Sequence, residues 1–343
     1  MANLYAVRVG RFSRQFAGRT TAVASLMLLI TLTVMLFSLS QGKVRISAPE
    51  VMQALFAPSD SGTDFIVNQL RLARIVLAML VGGALAVSGL LLQSLVRNPL
   101  ASPDILGITS GASAAAVGFL SFFSTLVSQQ WMPLAAIGGA WLMAGLITLL
   151  AWRRDASPIR LVLVGVGLSA LTGAATTMML VFSPLTTTLS AYVWLTGSVY
   201  GAQWRDVRSL AAWLAAILPF MVLLARHVNI HELDDDLARG VGLPIKPIRL
   251  ALLSVSVALA GAAIAYAGAM AFVGLAAPHI AKKLVGRSFP GLAFVAALVG
   301  ANLVMLGDLV GRTLFLPLDL PAGVFVSALG APFFIYLLIR QCR

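Results

Sequence analysis

The chain carries a single cysteine, Cys342, and only twelve acidic residues and three histidines among 343 residues. One cysteine leaves no intramolecular disulfide, no iron–sulfur cluster and no cysteine-based zinc site. His227 and His231 are four apart and share a helix face, but no third ligand accompanies them, so no metal site is expected. A Gly-x-x-x-x-Gly-Lys-Ser/Thr phosphate loop is missing, so the chain is not expected to hydrolyse ATP, and no Ser/His/Asp or paired-carboxylate constellation marks an enzyme. Buried ion carriers are scarce as well. Within the long apolar runs the one acid is Asp308, with Arg312 one turn later as an i,i+4 pair. Proton- and sodium-coupled carriers hold intramembrane ionisable groups, so a cargo moved by this chain would draw its energy from another subunit. A self-contained secondary transporter or channel is the alternative.

What is abundant is hydrocarbon. With 59% hydrophobic and 10% charged residues, against about a quarter charged in a typical soluble domain, the sequence specifies an all-α integral membrane protein, a single transmembrane domain over residues 1–343. Uncharged runs cover Thr20 to Gly42, Ile75 to Val96, Leu161 to Trp204, Leu250 to Ala281 and Ser288 to Gly307, and Asn98 to Trp152 holds only Asp104. A spanning helix needs about 20 apolar residues, so the longer runs hold two spans, or a span and a re-entrant piece. Ten helices are expected near 20–40, 72–96, 106–126, 133–152, 161–182, 207–226, 249–268, 270–285, 290–313 and 322–340, the eighth being short. The first run has no Ala-x-Ala site after it and is expected to be a retained span. Small residues, among them Gly82, Ser88, Gly89, Gly111, Gly165 and Gly261, permit close helix approach in lipid.

Lysine and arginine set the orientation. Arg8, Arg11, Arg14 and Arg19 precede the first span, and with ten spans Arg97, Arg153, Arg154, Arg160, Arg226, Lys246, Arg249, Lys282, Lys283 and Arg340 fall on the same side. The positive-inside rule makes that side cytoplasmic, together with the tail of residues 1–19 and both termini. The net charge of +12 is then an orientation signal, and no nucleic-acid partner is implied.

Residues 227–248 form the one densely charged segment. Asp234 is placed to cap a helix, Asp235 and Asp236 occupy its first turn, Leu233 staples against Ala238, and Gly240 and Gly242 supply the stop. A helix of about two turns is too short to stand alone and needs a partner surface.

The stretch Arg97-Asn98-Pro99-Leu100-Ala101-Ser102-Pro103-Asp104-Ile105-Leu106-Gly107, preceded by Ser88-Gly89 and Gln93, resembles the signature of the FecCD family of permeases. Trp194-Leu195-Thr196-Gly197-Ser198, Phe272-Val273-Gly274-Leu275 with Pro278-His279, and Leu320-Pro321-Ala322-Gly323 agree with it. Members are membrane subunits of bacterial ATP-binding-cassette importers for ferric siderophores, ferric citrate, haem or cobalamin. The resemblance implies an inner-membrane permease of ten helices, with helices 2–5 and 7–10 as inverted halves, paired with a second permease that is either a copy or a paralogue. It implies an ATPase dimer that binds ATP–Mg, no cofactor on this chain, and a periplasmic binding protein that delivers cargo. Coupling to the ATPase would fall on Asp234, Leu237, Ala238, Arg239, Gly240 and Val241, and binding-protein docking on Arg71, Arg74 and Arg312. The path and gate would fall on Thr172, Thr176 and Met179 with Ser157 and Pro158. Iron–siderophore cargo is the first expectation, and haem and cobalamin are the alternatives.

Overall fold

The computed structural model describes residues 4–9, 12–57, 59, 61–124, 126–151, 158–231, 235–286 and 288–341. Before the first span an antiparallel hairpin pairs β1 (Leu4–Val9) with β2 (Phe12–Ala17), Leu4 opposite Ala17 and Val9 opposite Phe12. Everything after it that is regular is helical among the described residues. The order is α1 (Gly18–Ser40), α2 (Ala48–Phe56), α3 (Gly62–Asp64), a π-helical stretch Phe65–Arg71, α4 (Leu72–Val96), α5 (Ile108–Phe122), α6 (Met132–Ala151), α7 (Pro158–Phe182) and α8 (Leu185–Thr196). There follow α9 (Trp204–His231), α10 (Asp235–Gly240), α11 (Ile245–Ala267), α12 (Val273–Leu284), α13 (Phe289–Thr313) and α14 (Ala322–Gln341).

Eight described helices are long and apolar enough to cross a bilayer, and α5 is a shorter apolar helix. The ten expected segments are all present within a few residues of their anticipated bounds, with α5 and α12 shorter than a span. At 1.5 Å per residue, α12 with its 12 residues is about 18 Å long, well short of a hydrocarbon core of about 30 Å. The run Leu161 to Trp204 resolves into a span, α7, and the 12-residue α8.

α4 is the axle of the bundle, and nearly its whole length is buried. Two glycine contacts set its distance from its neighbours. A Cβ on Gly82 would lie 2.2 Å from the Gly300 carbonyl oxygen of α13, and one on Gly89 would lie 1.8 Å from that of Gly274 in α12. Neither site accepts any side chain. Between them Ser88 Oγ donates to Ser256 O at 2.8 Å, and Ser256 Oγ returns a bond to Ser88 O at 3.0 Å, joining α4 to α11. The ends of these two helices show that they run in opposite directions, because the last turn of α4 and the first turn of α11 meet at α10. Each opens a set of four, α4–α7 and α11–α14, whose second member is the short one.

Candidate functional site

The face that carries α10 is built first by helix termination. Gly242 adopts φ +83°, Gly242 N donates to Arg239 O at 2.9 Å and Leu243 N donates to Ala238 O at 3.0 Å. This is the Schellman pattern, with Ala238 and Leu243 supplying its apolar contact. Gly242 alone therefore supplies the left-handed stop, and Gly240 is the last residue of the helix. Ala238 is 0% exposed and packs with Leu243 and Ile245, so it is removed from the expected outward contact set. Leu237 and Val241, 63% and 68% exposed, share the open face, while Arg239 is exposed and pairs with Asp236 at 3.4 Å. Asp234, Leu233 and Ser157 lie outside the described residues. Pro158 opens α7, and its side chain is likewise outside them.

Asp235 ties α10 to the bundle. Arg97 Nη2 approaches its Oδ1 at 2.6 Å, and Arg249 Nη2 donates to both of its oxygens at 2.9 and 3.0 Å. Arg97 Nε also donates to the His231 carbonyl at 2.9 Å, and Arg249 Nε meets the buried His231 ring at 3.3 Å. The end of α4 and the starts of α10 and α11 therefore meet at one carboxylate, and the same two arginines hold the end of α9 at His231. Burial would raise the Asp235 carboxyl, but the Arg97 hydrogen bond and the Arg249 charge outweigh it and hold the group below its usual 3.8.

Where α5, α7, α8 and α14 meet, an open cavity of about 490 Å³ is bounded by Asp104, by Thr109 and Ser113 of α5, by Thr176 of α7, by Thr196 of α8 and by Ser327 of α14. Asp104 Oδ1 accepts from the Thr109 hydroxyl at 2.7 Å, and Oδ2 accepts from Phe272 N at 3.3 Å. The segments that precede the two short helices thus touch through one acid. Of the expected path residues Thr176 lines this cavity. Thr172 is half-buried and back-bonds to Leu168 O at 3.0 Å, and Met179 packs in a separate cluster with Val117, Leu120 and Leu180.

At the far face Arg71, Arg74 and Arg312 converge as expected, but on the chain's own groups. Arg74 forms a bidentate pair with Asp319 at 2.8 Å and meets Asp308 at 2.7 Å, and Arg312 adds a 3.4 Å contact to Asp308. Arg71 donates to Leu39 O at 2.6 Å and to Val44 O. Arg312 donates to Gln41 O at 2.6 Å and to Ser38 O. With 9%, 12% and 9% exposure in chain order, the three are struts beneath a vestibule of about 880 Å³ and do not form a free docking surface. Its exposed cations are Lys43, Arg205 and Arg208.

Arg97, Arg249, Asp104 and Asp319 are the participants that the site reading of the sequence missed. Two of them carried a signal, since Arg97 opens the long motif and Asp104 is the one charge between Asn98 and Trp152.

A bundle of crossing helices, interrupted by short ones around a hydroxyl-lined cavity, defines a multi-pass membrane permease. The chain belongs to the FecCD transport family, which matches residues 28–340. It is 64% identical, over 97% of its length and 96% of the other's, to the achromobactin transport system permease of Dickeya dadantii. It is 37% identical to the iron(3+)-hydroxamate import system permease of Bacillus subtilis, over 93% and 96% of the two chains. A solved metal-chelate type ABC transporter in an inward-facing conformation superposes with a TM-score of 0.81 at 26% identity, covering 93% of this chain and 99% of that one.

Proposed function

We propose that this chain is the membrane-spanning subunit of an ATP-driven importer that carries an iron–siderophore complex, of the class its achromobactin-permease relative is named for, into the bacterial cytoplasm. The observation that carries this reading is the exposed Leu237 and Val241 pair on a six-residue helix that its own bundle holds only from behind. Six residues do not hold a helix without support, and an apolar pair turned to water on a charged loop fits the groove of a partner protein. In this reading α10 docks on an ATPase that binds ATP–Mg, and the α10 face is cytoplasmic with both termini. The far vestibule receives cargo from a binding protein through Lys43, Arg205 and Arg208 at its rim. A second permease covers α7, whose outward residues include Leu163, Leu171, Met178 and Phe182. Cargo passes between the two subunits beside Thr176 and Ser327.

The test is uptake of radioiron-loaded achromobactin by iron-starved cells, with and without the gene for this chain, alongside affinity purification of the chain. Uptake that disappears with the gene, and an ATPase recovered in stoichiometric amount, is the expected result. Unchanged iron uptake with loss of haem or cobalamin uptake would reassign the cargo, and an active chain purified alone would replace the importer by a secondary transporter.

A further inference from the structure

Two described non-glycine residues have left-handed backbone, Arg97 at φ +53° and Phe272 at φ +65°. Such a conformation costs on the order of 1–3 kcal/mol for a residue with a side chain and is kept where surrounding structure enforces it. Arg97 ends α4 in the place where glycine is usual. Asn98 N donates to Gln93 O at 3.1 Å and Arg97 N to Ser94 O at 3.3 Å, the same Schellman pattern that Gly242 closes on α10. The Arg97 guanidinium is engaged from there by Asp235 and the His231 carbonyl. Phe272, the second strained residue, offers its N–H to Asp104. One strained position therefore opens residues 97–107, and the other, before α12, touches that segment at Asp104.

That segment is stiff. Pro99 and Pro103 fix its φ angles. Asn98 closes a turn with Ala101 N donating to its carbonyl at 3.1 Å and Leu100 N to its side chain at 2.9 Å. A second turn follows, with Leu106 N on Ser102 O at 3.2 Å and Ile108 N on Pro103 O at 3.0 Å. Ala101, Ser102 and Leu106 are buried. The two turns follow one another directly, with Ala101 and Ser102 buried where they join.

We propose that residues 97–107 are a lever whose input is the Asp235–Arg97 pair on α10 and whose output is Asp104 in the cavity wall. Displacement of α10 pulls on Arg97, tilts the segment, and breaks or re-forms the bond from Phe272 N to Asp104, which shifts the start of α12 against the start of α5. Arg97 and Asp104 are positioning residues that act through the lever and do not bind cargo. The signature segment is thereby given a mechanical role that links the docking helix to the path. The proposal rests on the importer reading above.

The test uses the complex of this chain with its co-purified ATPase in liposomes, measuring both ATP hydrolysis and radioiron-loaded achromobactin uptake. Arg97→Gly suits the left-handed backbone and removes the whole side chain with its guanidinium. It should still assemble and hydrolyse ATP, while cargo moved per ATP falls about tenfold, a coupling loss of ordinary size. Arg97→Lys should recover part of that loss. Asp104→Asn should produce a comparable fall, and the double variant should be no worse than the more severe single one, because both act in one line. If Arg97→Gly fails to assemble, Arg97→Asn, which also tolerates the left-handed backbone, is read in its place with the same expectation. An unchanged ratio of cargo to ATP, or single effects that multiply in the double variant, would overturn the lever. A wild-type chain that recovers no ATPase would instead overturn the importer reading beneath it.

Discussion

The two ends of α4 are both fastened by arginines to carboxylates, and they are fastened differently. At its start, Arg74 grips Asp308, which is 1% exposed, and Asp319, while Arg71 and Arg312 hold the carbonyls that end α1 and the loop beyond it. Two acids, three arginines and several carbonyls satisfy one another there with little water. At its far end, Arg97 is 24% and Asp235 29% exposed, and the buried Arg249 shares the same carboxylate from behind. A buried set of charges is costly to alter, because removing one partner strands another. A pair about a quarter exposed, as Arg97–Asp235 is, exchanges partners with water at a smaller cost. The start of α4 is therefore held more tightly than its end, where the Arg97 side of the shared carboxylate is open to water. The importer proposed above, moving at its α10 face and holding shape at the vestibule, would use that asymmetry.

The difference is open to direct attack. The largest effect is expected from Asp308→Ala, which leaves Arg74 and Arg312 underpaired and should cost about 3–5 kcal/mol, read as a lowered thermal midpoint in detergent and poor recovery of folded protein. Leu237→Asp should leave that midpoint unchanged but weaken ATPase association by about 2 kcal/mol, roughly thirtyfold in affinity, since it puts a charge at the centre of the docking face. Gly242→Ala forces a side chain into the left-handed stop and should cost about 1 kcal/mol locally, visible as faster hydrogen exchange in 235–243. Acid titration should give the smallest effect. The Asp235 carboxyl is held below 3.8 in the folded chain, so its contribution is present above that value and is lost as pH falls through the lowered folded value. Asp235→Asn should therefore lessen the loss of stability of the 235–243 segment below about pH 4, read by hydrogen exchange.

Much of this organisation was legible in the chain, for identifiable reasons. Apolar runs separated by basic clusters located the spans because lipid leaves so few alternatives. Gly82 and Gly89 stood out as small residues and prove to be close contacts with Gly300 and Gly274. The extent of α10 followed from its terminal residues, but the inward turn of Ala238 did not, since six residues are too few to show a helical period. The pairing of Arg97 with Asp235 was hidden for a different reason. Both residues had local roles that appeared sufficient, a topology charge and a first-turn acid, and only folding brings them together. Likewise the i,i+4 relation of Asp308 and Arg312 was local and visible, while Arg74 and Asp319 reach the same knot from other elements. That hidden half is what turned three expected docking arginines into struts.

The most direct measurement of the central claim, that α10 faces a partner with one side and its own bundle with the other, is site-specific crosslinking. With Cys342→Ser as background, Leu237→Cys, Ala238→Cys and Val241→Cys would each be placed singly and treated with a short thiol-reactive crosslinker in native membranes. Crosslinks to an ATPase from positions 237 and 241 and none from 238 are the predicted result. Equal reaction from all three positions, or none from 237 and 241, would contradict it.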